Sequence, residues 1–185
     1  MSVCGIVLAA GAGTRYGGPK ALARSASGEA WIARAVEALT GGGCDPVLVA
    51  LGAAAGEAVD LVPDGAAPIV VASWEEGLAA TVQAALVAAG DTDATAALLV
   101  PVDTPDMPTA VVARLAAGAH DAVLRRAVYG GTPGHPVVIG RRHWSALAAD
   151  LVGDRGAGAY LAAHDAERVE CSDLWDGADI DVRTR

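Results

Sequence analysis

Val7-Leu8-Ala9-Ala10-Gly11-Ala12-Gly13-Thr14-Arg15-Tyr16-Gly17-Gly18-Pro19-Lys20 joins an apolar run, residues 3–8, to a glycine-rich loop that carries two cations. The run reads as a buried strand. Glycines adopt positive φ and let backbone N–H groups approach a ligand closely, so such a loop can wrap a chain of phosphates. Arg15 offers a planar fork for phosphate oxygens, and Lys20 a mobile point charge. The pattern points to the phosphates of a nucleotide.

Two commoner phosphate motifs do not fit. A dinucleotide fingerprint needs glycine where Tyr16 stands and an acidic residue about 20 positions beyond the loop. Around Trp31 there is none, and Glu29 and Glu37 fall within a helix-like stretch. A P-loop needs Gly-Lys-Ser/Thr, whereas Pro19 separates Gly18 from Lys20 and Ala21 replaces the hydroxyl. The simplest competing reading is a flexible strand-to-helix turn.

Outside the loop, 185 residues suffice for one domain with a substantial core, spanning 1–185. Hydrophobic residues make up 53%, which excludes a disordered chain, and no internal repeat is present. The formal charge of −9 argues against nucleic acid and anionic membrane surfaces as partners. A phosphate ligand must then be held by local cations and metal. Cys4, Cys44 and Cys171 lack metal-ligand or redox spacing, which suits a reducing cytoplasm. No signal-peptide pattern or bilayer-spanning apolar run occurs.

Strands are expected at residues 4–8, 46–51, 69–72, 97–102, 121–128, 136–139 and 168–171. Helices are expected at 29–40, 54–61, 76–89, 109–117, 142–151 and 157–164. The first half alternates strand and helix, which implies parallel strands with right-handed crossovers. Ligands bind such sheets beyond the carboxyl ends of the strands. The loop 11–20 and Asp103 both follow strands, so both belong on that edge.

Asp103 directly follows Leu98-Leu99-Val100-Pro101-Val102. A carboxylate at a buried strand end can hold Mg²⁺, which takes carboxylate, water and phosphate oxygens. It can equally shape the turn into residues 105–108. Alternation along an extended tail puts Asp179 and Asp181 on one side. Trp74 suits a core or lid aromatic as well as a ring-stacking one. His135 suits local hydrogen bonding or a ligand contact, and Asp154 a helix cap or, with Arg155, a phosphate-holding helix start.

The loop string, with Trp74-Glu75-Glu76-Gly77-Leu78, Pro101-Val102-Asp103-Thr104-Pro105, Gly134-His135-Pro136, Gly153-Asp154-Arg155-Gly156-Ala157 and Asp179-Ile180-Asp181, resembles the signature of the MobA-like nucleotidyltransferases. Leu8-Ala9-Ala10-Gly11 and Gly134-His135-Pro136 are most similar to the molybdenum cofactor cytidylyltransferase branch. The resemblance implies an α/β, three-layer Rossmann-like fold with a mostly parallel central sheet. It implies Mg²⁺ as cofactor, with Asp103 and Asp181 as ligands, and Arg15, Lys20 and Asp103 as catalytic residues. Lys20 would bear on the α-phosphate and Arg15 on the β- and γ-phosphates. The implied nucleotide site comprises Leu8, Ala9, Ala10, Gly11, Ala12, Gly13, Thr14, Arg15, Lys20, Gly77, Thr81, Pro101 and Asp103. Trp74, His135, Asp154 and Arg155 would meet the acceptor.

The activity so implied moves a nucleoside monophosphate from CTP, or GTP, to a phosphorylated small molecule, with molybdopterin favoured, and releases pyrophosphate. A molybdoenzyme or chaperone is the implied protein partner. In this chain Val182-Arg183 stands where the family has Thr-Pro, and Ala79 and Ala80 stand at positions that are often Ser. Four other readings compete. One is guanylyl transfer and another is a methylerythritol-phosphate-type acceptor. A third is a nicotinamide-dependent pigment oxidoreductase of the same fold, and the last a non-catalytic nucleotide-binding module.

Overall fold

A computed structural model describes residues 2–182. Its seven strands are β1 (Val3–Ala9), β2 (Val47–Leu51), β3 (Ala66–Val70), β4 (Ala96–Pro101), β5 (Leu124–Tyr129), β6 (Thr132–Gly140) and β7 (Glu167–Glu170). The helices are α1 (Trp31–Gly41), α2 (Ala55–Ala58), α3 (Leu78–Gly90), α4 (Thr109–Ala116), α5 (Trp144–Asp150) and α6 (Gly158–Ala163). One sheet runs in the order β3-β2-β1-β4-β6-β5-β7. The first four strands are mutually parallel, and β6 alone runs antiparallel, against both β4 and β5. The sheet is mostly parallel, as the sequence implied.

The central strands β1, β2 and β4 are apolar on both faces because both faces are covered. Val3, Val7, Val49, Leu98 and Val100 pack into one core layer with α1 and α4. Cys4, Ile6, Ala50, Ala97 and Leu99 pack into the other with α3, α5 and α6. The result is three layers. Helix α1 ends where Gly42-Gly43 allows it: Cys44 N–H reaches Leu39 O and Gly43 N–H reaches Thr40 O, with Gly43 at φ 90°. That is a Schellman end, which requires the left-handed residue.

Several expected boundaries move, each for a local reason. The helix expected at 76–89 starts at Leu78, because Gly77 at φ 104° breaks it from a 3₁₀ turn over Trp74–Glu76. The helix expected at 54–61 is one α-turn running into a 3₁₀ turn, Val59–Leu61. The strand expected at 69–72 lies at Ala66–Val70, on the sheet edge, where backbone pairing to β2 prevails over the apolar Ile69-Val70-Val71 run. The strand expected at 136–139 starts at Thr132, since the β5–β6 turn needs only Gly130 and Gly131, at φ 56° and 80°. Two successive positive φ values suit a two-residue hairpin. No helix among the described residues is long and apolar enough to cross a membrane.

Candidate active site at the carboxyl edge of β1 and β4

The glycine-rich loop leaves β1 and folds onto itself. Gly13 O accepts from the amides of Gly17 (3.0 Å) and Gly18 (3.1 Å). A Cβ on Gly13 would stand 2.0 Å from Gly18 O, and its φ is 61°, so only glycine fits this turn. The amides of Gly11, Ala12, Gly13, Thr14 and Arg15 donate to no backbone carbonyl among the described residues. They are donors available to an anionic ligand.

The loop delivers Lys20 to the end of β4. Lys20 Nζ lies 2.7 Å from Asp103 Oδ2 and 3.0 Å from Asp181 Oδ1. Burial works to lower the Lys20 pKa, but the hydrogen bonds that its ammonium donates to Asp103 and Asp181, with their charges, outweigh it and raise the pKa above its ordinary value. The Lys20 hydrogen bond, aided by its charge, lowers the Asp181 pKa in turn. Arg15 is exposed, with its guanidinium 4.0 Å from Asp181 Oδ2.

The tail reaches this point through a chain of contacts. Tyr129 on β5 packs its ring edge-on to Trp175 at 5.5 Å and donates its hydroxyl to His135 O at 2.7 Å. A Cβ at Gly177 would lie 2.3 Å from that ring, so the tail passes flush against it. Farther on, Ile180 N–H bonds Asp103 O at 2.9 Å. One carboxylate oxygen each from Asp103, Asp179 and Asp181 then lies within 4.8 Å of the others. Three carboxylates are a hard oxygen donor set of the kind that suits Mg²⁺ or Mn²⁺, so these residues fit a divalent ion.

Two cavities open beside the first residues of the loop, 11–13, apart from a larger one of about 950 Å³ at Tyr16, Leu22 and Ile180. One, of about 320 Å³, is lined by Leu8, Ala9, Gly11, Gly13, Lys20, Leu78, Pro101, Val102, Asp103 and His135. The other, of about 330 Å³, is lined by Leu8, Ala10, Gly11, Ala12, Trp74, Glu75, Gly77, Leu78, Thr81 and Asp154. Leu8, Gly11 and Leu78 border both, so the two meet across the loop. Trp74 and Asp154 therefore stand with Gly77 and Thr81, the residues assigned to the nucleotide, while His135 stands with Lys20 and Asp103. Thr14 and Arg155 are exposed and line neither cavity.

His135 Nδ1 is buried with no hydrogen-bond partner among the described residues. Burial, then the nearby Arg126 charge, lowers the His135 pKa, so the ring is neutral at neutral pH. Leu78, which borders both cavities, closes the 74–78 motif but takes no site role from the sequence, because an apolar side chain there reads as core. Asp179 joins the cluster beside Asp181, consistent with alternation along the tail.

A family model of the MobA-like NTP transferase domain matches residues 5–169. The chain belongs to this family. The MobA-like chain is 32% identical to nicotine blue oxidoreductase of Paenarthrobacter nicotinovorans, over 97% of this chain and 92% of that one. It is 26% identical to Rv0371c of Mycobacterium tuberculosis H37Rv, with a TM-score of 0.79, covering 98% of this chain and 94% of that structure. Rv0371c has also been solved in complex with manganese. A nucleotidyl transferase from Methanothermobacter shares the fold, with a TM-score of 0.83 at 19% identity, 98% of this chain and 92% of that one being covered. The domain is thus a nucleotidyltransferase of the MobA-like family.

Proposed function

We propose that the protein is a metal-dependent nucleotidyltransferase acting on a nucleoside triphosphate, CTP for preference, and a small acceptor that already bears a phosphate. The observation that carries this reading is the convergence of Lys20, at the end of the loop, with Asp103, Asp179 and Asp181, the loop amides at 11–15 donating to no backbone carbonyl among the described residues. An acceptor phosphate oxygen attacks the α-phosphorus, the bond from that phosphorus to the β-bridging oxygen breaks, and pyrophosphate leaves. Such an acceptor is already anionic, so no general base is required. The work left to the protein is positioning and charge stabilisation.

In this reading the loop amides and Arg15 hold the β- and γ-phosphates. Lys20 meets the charge that develops around the α-phosphate. Asp103 and Asp181, with Asp179, would hold a divalent ion, Mg²⁺ by expectation, which when bound neutralises phosphate charge. The base enters the cavity lined by Trp74, Gly77 and Thr81. Leu8-Ala9-Ala10-Gly11 supports CTP over GTP through the family resemblance, which likewise favours molybdopterin as acceptor. Manganese in a 23% identical structure of like fold is consistent with a divalent site.

A second reading has a specific observation behind it: the full-length likeness to a protein named as an oxidoreductase. Nicotinamide dinucleotides are bound in related sheets through an acidic residue beyond the second strand. Here β2 ends at Leu51 and is followed by Gly52, against which Trp74 packs so closely that a Cβ would lie 2.6 Å from its own. That arrangement favours transfer.

Thermal shift with CTP, GTP, ATP, UTP and NADPH, each with and without Mg²⁺ or Mn²⁺, separates the two. A ligand that binds the folded state at 100 times its Kd adds about 2.7 kcal/mol. Metal-dependent stabilisation by a triphosphate is expected, followed by pyrophosphate release when a phosphorylated acceptor is supplied. A metal-independent response to NADPH alone would overturn the reading.

A further inference from the structure

Strands β5 and β7 run parallel and pair Arg125 with Glu167 and Arg126 with Arg168. On the α4 face this puts opposite charges together, and Arg125 Nε meets Glu167 Oε2 at 2.7 Å. On the other face it puts two guanidinium groups side by side. Like charges directly opposite in a sheet are destabilising, so this face carries an unrelieved repulsion. Neither Arg126 nor Arg168 has a carboxylate within ion-pair distance among the described residues; their partners are the carbonyls of Gly134 and Gly131. In a chain of net charge −9, two adjacent cations that make no ion pair among the described residues stand out. Burial, then the charge of Arg168, lowers the Arg126 pKa.

Both arginines line a cavity of about 340 Å³ together with Val128, Pro133, Leu161 and Asp165, and Asp165 makes no ion pair with either among the described residues. Gly158, at the start of α6, lies beside Arg126, whose Nη1 would be 3.4 Å from a Cβ there, an ordinary contact. Strand β6 links this cavity to the candidate active site, contributing Pro133 to the one and His135 to the other. Gly134, whose carbonyl accepts from Arg126 Nε at 3.4 Å, is followed by His135, which lines the cavity of Lys20 and Asp103.

We propose that Arg126 and Arg168 together seat a phosphate monoester dianion, the phosphate-bearing end of the small acceptor. This rests on the transferase reading above. Two guanidinium forks suit one dianion, because phosphate oxygens accept bidentate bonds and the bound charge removes the repulsion between the arginines. Neither residue belongs to a motif that the family resemblance assigns.

The test titrates inorganic phosphate into the wild type, Arg126→Gln, Arg168→Gln and Lys20→Gln by calorimetry, with CTP and Mg²⁺ binding measured on the same samples. Each arginine variant should weaken phosphate binding about tenfold or more, the worth of a charge-assisted bond. Lys20→Gln should leave it within about twofold, and CTP binding should survive in both arginine variants. Arg168→Gln should also raise the phosphate-free Tm by about 1–3 °C through relief of the repulsion, and abolish the further rise that phosphate gives the wild type. Equal phosphate affinity in the wild type and both arginine variants, or loss in Lys20→Gln alone, overturns the assignment. If no triphosphate binds any form while the phosphate pattern holds, the transferase reading fails and the anion seat stands. Should Arg126→Gln not fold, Arg168→Gln decides alone, since its side chain is exposed on an edge strand.

Discussion

Lys20 Nζ and Asp103 Oδ2 lie 2.7 Å apart although 83 residues separate them. The contact joins the end of the glycine-rich loop to the end of β4, and both side chains are largely covered, at 15% and 20% exposure. Parallel pairing of β1 with β4, from Val3 with Ala96 to Leu8 with Pro101, is what brings the two loops to one edge. Asp103→Asn should reduce kcat by about 10²–10³-fold, the scale seen when one preorganised electrostatic group is removed. Asp181 still partners Lys20 in that variant, so the stability cost should stay near about 1 kcal/mol. Steady-state pyrophosphate release and urea denaturation measure the two effects; undiminished turnover would retire the metal assignment of Asp103.

The carboxylate cluster makes a prediction about metal that does not depend on turnover. Mn²⁺ bound to the protein, followed by electron paramagnetic resonance, should weaken about tenfold or more in Asp181→Asn and in Asp179→Asn. Equal affinity across the wild type and both variants would mean that the tail carboxylates are solvated charges only. Chelation with EDTA should remove the stabilisation that CTP confers while leaving the ligand-free Tm unchanged.

Gly13→Ala tests the loop. The substitution places a Cβ 2.0 Å from Gly18 O at a φ of 61°, so the turn must open. A left-handed alanine costs about 1–2 kcal/mol even without the clash. Triphosphate affinity should fall by more than stability does, because the amides lose their common direction. Gly11→Ala meets no atom within 4 Å and serves as the control for fold.

Arg114 clamps the tail with a two-pronged contact on Asp173, at 2.6 and 2.8 Å, and also donates to Glu170 O at 2.9 Å. The Arg114 hydrogen bond lowers the Asp173 pKa. A carboxylate with a lowered folded pKa contributes stability that is present above its unfolded pKa, about 3.9, and is lost as pH falls through the folded value. Asp173→Asn should therefore be less stable than the wild type at pH 7, and the two should converge as the pH drops below about 4. A Tm difference that persists unchanged in acid would point to lost packing instead of lost charge.

The order of elements was legible from residue pattern alone. Apolar runs such as Leu98-Leu99-Val100 can exist only where both faces of a strand are covered, and a glycine run such as Gly41-Gly42-Gly43 marks a helix end by its conformational freedom. Boundaries slipped where a single glycine, Gly77, or backbone pairing at the edge strand β3 outweighed side-chain periodicity. Lys20 and Asp103 could be placed on one sheet edge from the sequence, because the loop that ends in Lys20 follows β1 and Asp103 follows β4 closely. Leu78, at the seam of two cavities, has no chemical signature in a sequence.

From its residues alone, this chain determines a parallel-sheet core, a glycine-rich loop that carries two cations, and a carboxylate at the end of a buried strand. Those properties are local, set by volume, φ freedom and alternation within a few residues. Folding in three dimensions added the meeting of Asp179 and Asp181 with Lys20 and Asp103, and the facing of Arg126 by Arg168. Both depend on strand register and on where the Tyr129–Trp175 contact steers the tail, which are long-range matters of packing that no short stretch of sequence encodes.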